Sequence, residues 1–201
     1  QRNDVKCVSL EHKLGIHGSP TCVMSYGDEG GAIGYLVGEA NKGLGYMFTM
    51  MNHARLGVGV EGMSISERAY QQAVAYAKDR LQSRELGSSN PEPAAIIRHP
   101  DVRRMLMTMR SQIEAMRALC YFGGTALDKA ASLPAGAEQQ QSQYLINFLI
   151  PIIKGWCTET ANELTSLGVQ VHGGMGFIEE TGAAQYMRDA RIAAIYEGTT
   201  G

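Results

Sequence analysis

The sequence lacks an excess of charge of one sign and lacks an apolar run long enough to cross a membrane. Its formal charge is −2 and its basic residues form no stripe, so nothing in it indicates a nucleic-acid partner. The apolar stretch YLINFLIPIIKGW ends well before the roughly 20 residues that a membrane-spanning helix needs. We therefore expect neither nucleic-acid binding nor a membrane span from this chain.

Paired cysteine and histidine motifs are absent as well. The cysteines stand apart without a CxxC pair, and the histidines show no HExxH spacing. The sequence therefore predicts no disulfide framework and no metal site, and a reducing compartment fits this cysteine usage. Bacterial cytoplasm is the expected location, with the mitochondrial matrix left open. The four cysteines are Cys7, Cys22, Cys120 and Cys157.

The first part of the chain has the composition of β-strands. The runs VKCVSL and TCVMSY flank a loop with glycines and a proline, and AIGYLVG is expected to be a third strand. Three strands alone make a poor domain. Because the chain also starts at Gln1 in what resembles a strand already in progress, we expect it to be an excerpt of a longer protein.

The remainder has a helical period. From Gly43, apolar residues recur at threes and fours for about 40 residues, and His99-Pro100-Asp101 starts a second helix. A third helix is expected from about Glu138 to Gln170, and a fourth from about Thr181 to Tyr196. Three long helices and a short one with brief connections indicate an antiparallel four-helix bundle. The predicted fold is mainly α, with a β segment at 1–38 and the bundle at 39–201.

One carboxylate stands in an unusual place. In IYEGTTG, Glu197 follows the expected end of the fourth helix, where the helix dipole favours cations rather than anions. A glycine stop such as Gly198 is ordinary at a helix end. The acid before it is not, so Glu197 is a candidate for a chemical role.

A glycine cluster and two basic segments are weaker candidates. QVHGGMGF fits neither the Rossmann nor the P-loop pattern, so a tight turn between helices is the simpler interpretation. Its free backbone N–H groups can nevertheless receive a phosphate. Asn52 and Arg55 lie three apart on one helix face, and a partly buried arginine needs an anionic partner. The segment AYAKDRLQ ends the first long helix with Arg80.

The order of these segments is more informative than any one of them. GEANKGLGYMFTMMNHAR, AYAKDRLQ, QVHGGMGF and RDARIAAIYEGT together resemble the C-terminal half of the FAD-dependent acyl-CoA dehydrogenases. The resemblance covers about Gly38 to Gly201, and the preceding strands are similar to the end of that family's middle β domain. MMNHARLGVGVEG is most similar to the longer bacterial branch that includes 3-methylmercaptopropionyl-CoA dehydrogenase.

The resemblance implies a reaction and a base for it. Glu197 matches the family's catalytic base, which removes the α-proton of an acyl-CoA thioester while the β-hydrogen leaves as hydride to flavin N5. Its backbone N–H would help to polarise the thioester carbonyl, and Gly198 would let the substrate come close. Some family members carry the base on the first long helix instead. That position is Ala54 here, which leaves Glu197.

The resemblance also implies binding residues. Asn52, Arg55 and Gly198 would contact the acyl-CoA. The FAD-binding residues, partly across a subunit interface, would be Arg80, Gln82, Gln170, His172, Gly173, Gly174 and Thr199.

The sequence supports three functional hypotheses. The first is an acyl-CoA dehydrogenase of fatty acid metabolism that binds FAD, passes electrons to electron-transfer flavoprotein and forms a homodimer or tetramer. The second is an acyl-CoA oxidase of the same fold, reoxidised by dioxygen. The third is a non-catalytic helical interaction domain. As an isolated fragment, the chain is expected to be inactive.

Overall fold

The computed structural model describes residues 2–198. Two antiparallel strands come first, β1 (Val5–Leu10) and β2 (Cys22–Tyr26), with an irregularity between Cys7 and Ser9. Helices form most of the chain after β2, and the predicted mainly helical fold is confirmed. They are α1 (Gly43–Asp79), α2 (Pro100–Ser132), α3 (Ala137–His172) and α4 (Ala183–Ala190).

The helix starts and stops reflect local chemistry. α2 begins with Pro100 and has Asp101 in its first turn, where a missing N–H and a negative charge both suit the helix start. α3 runs through Pro151 without interruption. Short 3₁₀ turns occupy Ile96–Arg98, Gly173–Phe177, Glu179–Thr181 and Arg191–Ala194.

Two expected elements differ from the prediction. The segment AIGYLVG is not a strand, because Ile33 pairs through its backbone with the Asn3 side chain and finds no main-chain ladder within residues 2–198. The fourth helix is also shorter than expected. It starts after Gly182, whose φ of 80° is left-handed, and beyond Ala190 it tightens into a 3₁₀ turn.

The helices alternate in direction along the bundle. Glu67 on α1 pairs with Arg117 on α2, and Tyr70 with Arg110, so these helices are antiparallel. α1 and α3 are parallel, and a Cβ added at Gly62 would lie 2.8 Å from the carbonyl oxygen of Cys157. This close approach brings the backbone of α1 against that of α3, and it sets the geometry of the candidate site.

The core lies between the three long helices. The side chains of Met109, Ile113, Met116, Ile153 and Cys157 are 0% exposed. The loop after β1 packs on α4, where the N–H of Ile16 donates to Asp189 Oδ1 at 2.6 Å. In the described part of the chain, no helix combines the length and apolarity that a bilayer span requires.

Candidate functional site

The chain leaves α4 through a short tail that lies against α1 and α3. After the 3₁₀ turn Arg191–Ala194, Glu197 adopts a φ of 56° and Gly198 a φ of 93°. Both values are left-handed, a conformation that costs a residue with a side chain about 1–2 kcal/mol. We call residues 196–198 the acid loop. A glutamate held in this conformation needs contacts that fix it there.

Two cations supply those contacts. Arg55 on α1 donates its Nε–H to the carbonyl oxygen of Glu197 at 2.9 Å. Lys154 on α3 donates to the next carbonyl oxygen, that of Gly198. Carbonyls at a helix end have no partner within the helix, so these two bonds satisfy groups that would otherwise be orphaned.

The environment of Lys154 is unusual for a lysine. Its residue is only 4% exposed, and burial lowers the pKa of its ammonium group below the ordinary value. The charge of Arg55 acts in the same direction, while Glu159 and Glu197 act against it. The tail that carries Glu197 therefore lies beside two positively charged side chains that are at least partly buried.

Tyr196 fixes the other side of the acid loop. Its hydroxyl donates to Glu61 Oε2 on α1 at 2.6 Å. Burial raises the pKa of the Tyr196 phenol, and the hydrogen bond and the negative charge of Glu61 raise it further, so the phenol stays neutral. The loop is thus held to α1 at two points and to α3 at one.

These contacts are made by backbone carbonyls of the loop and by the Tyr196 hydroxyl, and not by the acid side chain. Within residues 2–198, no hydrogen bond or ion pair uses the Glu197 carboxylate or its backbone N–H. The predicted substrate residues lie on two sides of it. Arg55 is in contact with the loop, whereas Asn52 is exposed one turn earlier on α1. A Cβ added at Gly198 would lie 3.0 Å from Arg55 Nη2, so a larger residue there would disturb the guanidinium.

The predicted cofactor residues that the structure describes lie at the opposite end of the bundle. Gln170 lies in the last turn of α3, and Gly173 turns the chain with a φ of 59°. Gly173 and Gly174 are exposed, with open space where a Cβ would be. The His172 imidazole is different because it is buried, stacked on Tyr76 at 4.5 Å between ring centroids.

Arg80 comes one turn after Tyr76, whose ring stacks on His172, and Gln82 follows two positions later. Both come after the end of α1, where Leu81 pairs with Ala95 in an isolated bridge. Their backbones are bonded, but their side chains are exposed and enter no hydrogen bond or ion pair with the described residues. Thr199, the remaining predicted cofactor residue, lies outside the residues that the structure describes.

We call Arg80, Gln82 and the turn from Gln170 to Gly174 the turn cluster. A free guanidinium, two amide side chains and an open glycine turn with backbone donors suit a diphosphate such as that of FAD. His172 fits only as a support, because its Nδ1 is 2.7 Å from the carbonyl oxygen of Gly168 and its ring is covered. The turn cluster is therefore chemically compatible with the implied cofactor.

The distance between the two groups separates their roles. Arg55 and the last residue of α1, Asp79, are 24 positions apart, which is roughly 36 Å at 1.5 Å per residue, and Arg80 follows directly. The turn cluster therefore does not touch the acid loop of the same chain.

Three residues around the acid loop were not predicted from the sequence. Lys154 interrupts the apolar run LIPIIKGW at a position on the buried stripe, four after Ile150 and three before Cys157. A lysine on a buried stripe is rarely unpaired, and that pattern alone marks it as a candidate. Glu61 and Tyr196 are related only through the fold, so their pairing has no local sequence signature.

Comparison with known proteins identifies the class to which this architecture belongs. The family model for the acyl-CoA dehydrogenase C-terminal domain matches residues 41–201. The chain therefore belongs to the acyl-CoA dehydrogenase family, which confirms the resemblance found in the four sequence segments.

Individual relatives agree with this. The chain is 58% identical over 200 residues to 3-methylmercaptopropionyl-CoA dehydrogenase of Ruegeria pomeroyi, covering 100% of this chain and 33% of that protein. The structure of butyryl-CoA dehydrogenase from Megasphaera elsdenii matches with a TM-score of 0.77 and 29% identity, covering 98% of this chain and 46% of that one. A chain from a structure of the electron transferring flavoprotein of Acidaminococcus fermentans matches with a TM-score of 0.78 and 27% identity, with coverages of 98% and 46%.

Proposed function

We propose that this chain is the C-terminal part of an FAD-dependent acyl-CoA dehydrogenase, with Glu197 as the base that removes the substrate α-proton. The observation that carries the proposal is the acid loop. Its carbonyls are bonded to Arg55 and Lys154, while the Glu197 carboxylate and N–H have no partner within the described residues. A carboxylate ready to accept a proton beside an N–H ready to donate to a carbonyl is what this reaction needs.

The chemistry divides between the chain and its cofactor. The Glu197 carboxylate would accept the α-proton, and the Glu197 N–H would stabilise the negative charge that develops on the thioester oxygen. Arg55 would keep the loop in place, with Asn52 near the bound acyl-CoA. FAD, when bound, supplies the acceptor for the β-hydrogen.

The rest of the proposal concerns the longer protein. The chain spans 33% of its relative from Ruegeria pomeroyi, so we propose that 1–38 is the end of a middle β domain and 39–201 the helical domain. The separation of the turn cluster from the acid loop supports a homodimer or tetramer in which each cofactor meets two chains. The match to a chain of the electron transferring flavoprotein structure supports that flavoprotein as electron acceptor. We expect the 201 residues alone to be inactive.

The experiment uses the full-length protein, which we call the complete enzyme. It is mixed without oxygen with a panel of acyl-CoA thioesters, including short, branched and sulfur-containing chains, and the flavin absorbance is recorded over time. We expect wild-type flavin to be bleached by at least one thioester. Glu197→Gln, which keeps the shape of the side chain, should slow bleaching by about 100-fold or more. If the flavin of the variant is bleached at a rate within about tenfold of the wild-type rate, a difference of roughly 1.4 kcal/mol in the barrier, Glu197 is not the base.

A further inference from the structure

The proposed reaction assigns no step to Lys154, yet the burial of its ammonium group is costly. It lies in the middle of α3 and is 4% exposed. Lysine is almost never buried to this extent unless it is paired, because taking an ammonium group out of water is expensive. Its four-carbon stem would be replaced well by Met if only packing were required. The partner that its ammonium group does find is the carbonyl oxygen of Gly198 in the acid loop.

The backbone around Lys154 is fixed by the closest packing in the bundle. Its neighbour Ile153 is 0% exposed and lies where a Cβ on Gly59 or Gly123 would collide with it. One turn further, Gly62 brings α1 against Cys157. Substitutions in such close contacts are strained, and the backbone has little freedom to shift. The root of the Lys154 side chain is therefore held rigidly opposite the acid loop.

Arg55 and Lys154 together bind two successive carbonyls from two different helices. Arg55 on α1 bonds the carbonyl of Glu197, and Lys154 on α3 bonds that of Gly198. Hydrogen bonds from charged donors are roughly twice as strong as neutral ones, which is enough to offset the strain of a left-handed glutamate. Loss of either bond releases one of the two carbonyls that fix the φ angles of the loop.

We propose that Lys154 is a positioning residue that holds the acid loop in its left-handed conformation and so places the Glu197 carboxylate for proton removal. The proposal rests on the proposed function of Glu197. Lys154 acts through the loop backbone and does not touch the reacting atoms. Arg55 on α1 bonds to the same loop. Arg55 and Lys154 therefore form a clamp from two helices, in which Lys154 is the residue from α3.

The test compares two substitutions in the complete enzyme. Lys154→Met keeps the length of the stem and removes the donor, whereas Lys154→Gln keeps a neutral N–H donor on a shorter stem. We expect Lys154→Met to lower kcat by about 10–100-fold, because a displacement on the order of 1 Å costs up to about 100-fold. KM for the acyl-CoA and the amount of bound FAD should stay within about twofold. Lys154→Gln should recover part of kcat.

A second measurement reads the loop directly. Amide hydrogen exchange of the peptide covering 192–198, measured by mass spectrometry, should be faster in Lys154→Met than in wild type. Lys129→Met, which removes an exposed lysine from the end of α2, should leave both the exchange and kcat unchanged. If Lys154→Met does not fold, the same two measurements on Lys154→Gln decide the question.

The outcomes separate this inference from the proposed function. Unchanged kcat and unchanged exchange in a folded Lys154 variant overturn the clamp. A fall in FAD content and thermal stability that accounts for all lost activity also overturns it, since that is a structural role. A wild-type enzyme that binds FAD but is bleached by no thioester overturns the proposed function. The exchange measurement would then still decide whether Lys154 holds the loop.

Discussion

The two ends of the bundle use polar residues in opposite ways. At the acid loop, Arg55, Lys154 and Tyr196 are all engaged with groups of the same chain. At the turn cluster, the side chains of Arg80 and Gln82 are exposed and without partners in the described part of the chain. The first arrangement uses its charges to hold one backbone conformation. The second leaves its hydrogen-bond donors free to bind a molecule outside the chain.

This difference teaches how substitutions should act. At the acid loop, a substitution removes a contact inside the chain. Stability and activity should therefore both fall. At Arg80 and Gln82 of the turn cluster, a change removes no side-chain bond to the described residues, so stability should be unaffected and only ligand binding should fall.

The largest expected effect concerns FAD binding at the turn cluster. Arg80→Ala combined with Gln82→Ala should weaken FAD binding to the complete enzyme by about 100-fold or more, since two hydrogen bonds are removed and each one to a charged group is worth about 1.5–3 kcal/mol. Measurement is by fluorescence titration of the apoenzyme with FAD. The urea midpoint of the 201-residue chain should not change, and Lys129→Ala serves as the matched loss of a surface cation. FAD binding equal to that of wild type would rule out the turn cluster as a cofactor site.

A smaller effect is expected from a glycine at each end. Gly198→Ala should destabilise the chain by about 1–2 kcal/mol, because its φ of 93° is unfavourable for alanine and the Cβ would approach Arg55. Gly174→Ala should cost less than about 0.5 kcal/mol, since its Cβ would enter open space. Urea unfolding of the two variants gives the comparison. Equal losses would show that the acid loop is no more constrained than the turn.

An effect of similar size, which depends on pH, is expected at the acid loop. Because the pKa of Tyr196 is raised in the folded state, its bond to Glu61 contributes stability that is complete below the unfolded value of about 10 and is lost as pH rises above it. Tyr196→Phe should therefore destabilise the chain by about 1–2 kcal/mol at pH 8, and the gap to wild type should narrow above pH 10. Unfolding curves across this range measure it. Tyr144→Phe, at an exposed position, should unfold with the same free energy as wild type at every pH. A difference between Tyr196→Phe and wild type that does not change with pH would contradict the raised pKa of Tyr196.

Local pattern was enough to predict most of the fold. The 3.6-residue period predicted three long helices because each buries one continuous stripe, and Pro100 marked a helix start within one residue. The expected third strand is absent from the described residues because strand propensity does not supply a partner strand, and the backbone of Ile33 bonds to the Asn3 side chain instead. The fourth helix was drawn too long because the period does not distinguish an α-helix from a final 3₁₀ turn.

The site was predictable only where its residues form motifs. Glu197 could be selected because an acid at a helix end is locally unfavourable, and the family resemblance assigned it a role. The contacts that hold it arise from two separate helices, α1 and α3. Glu61 and Tyr196 are 135 positions apart, and Lys154 and Gly198 are 44 apart. The spacing of residues along the sequence does not reveal such pairs, because they depend on how α1 and α3 pack in the fold.

The central claim is that Glu197 removes the α-proton, and exchange of that proton tests it apart from oxidation. The complete enzyme, with its flavin reduced beforehand under anaerobic conditions, is incubated with an acyl-CoA in D₂O, and deuterium at the α-carbon is measured by mass spectrometry. The account predicts steady exchange by wild type and exchange slower by about 100-fold or more in Glu197→Gln. Equal exchange by the two proteins would contradict it.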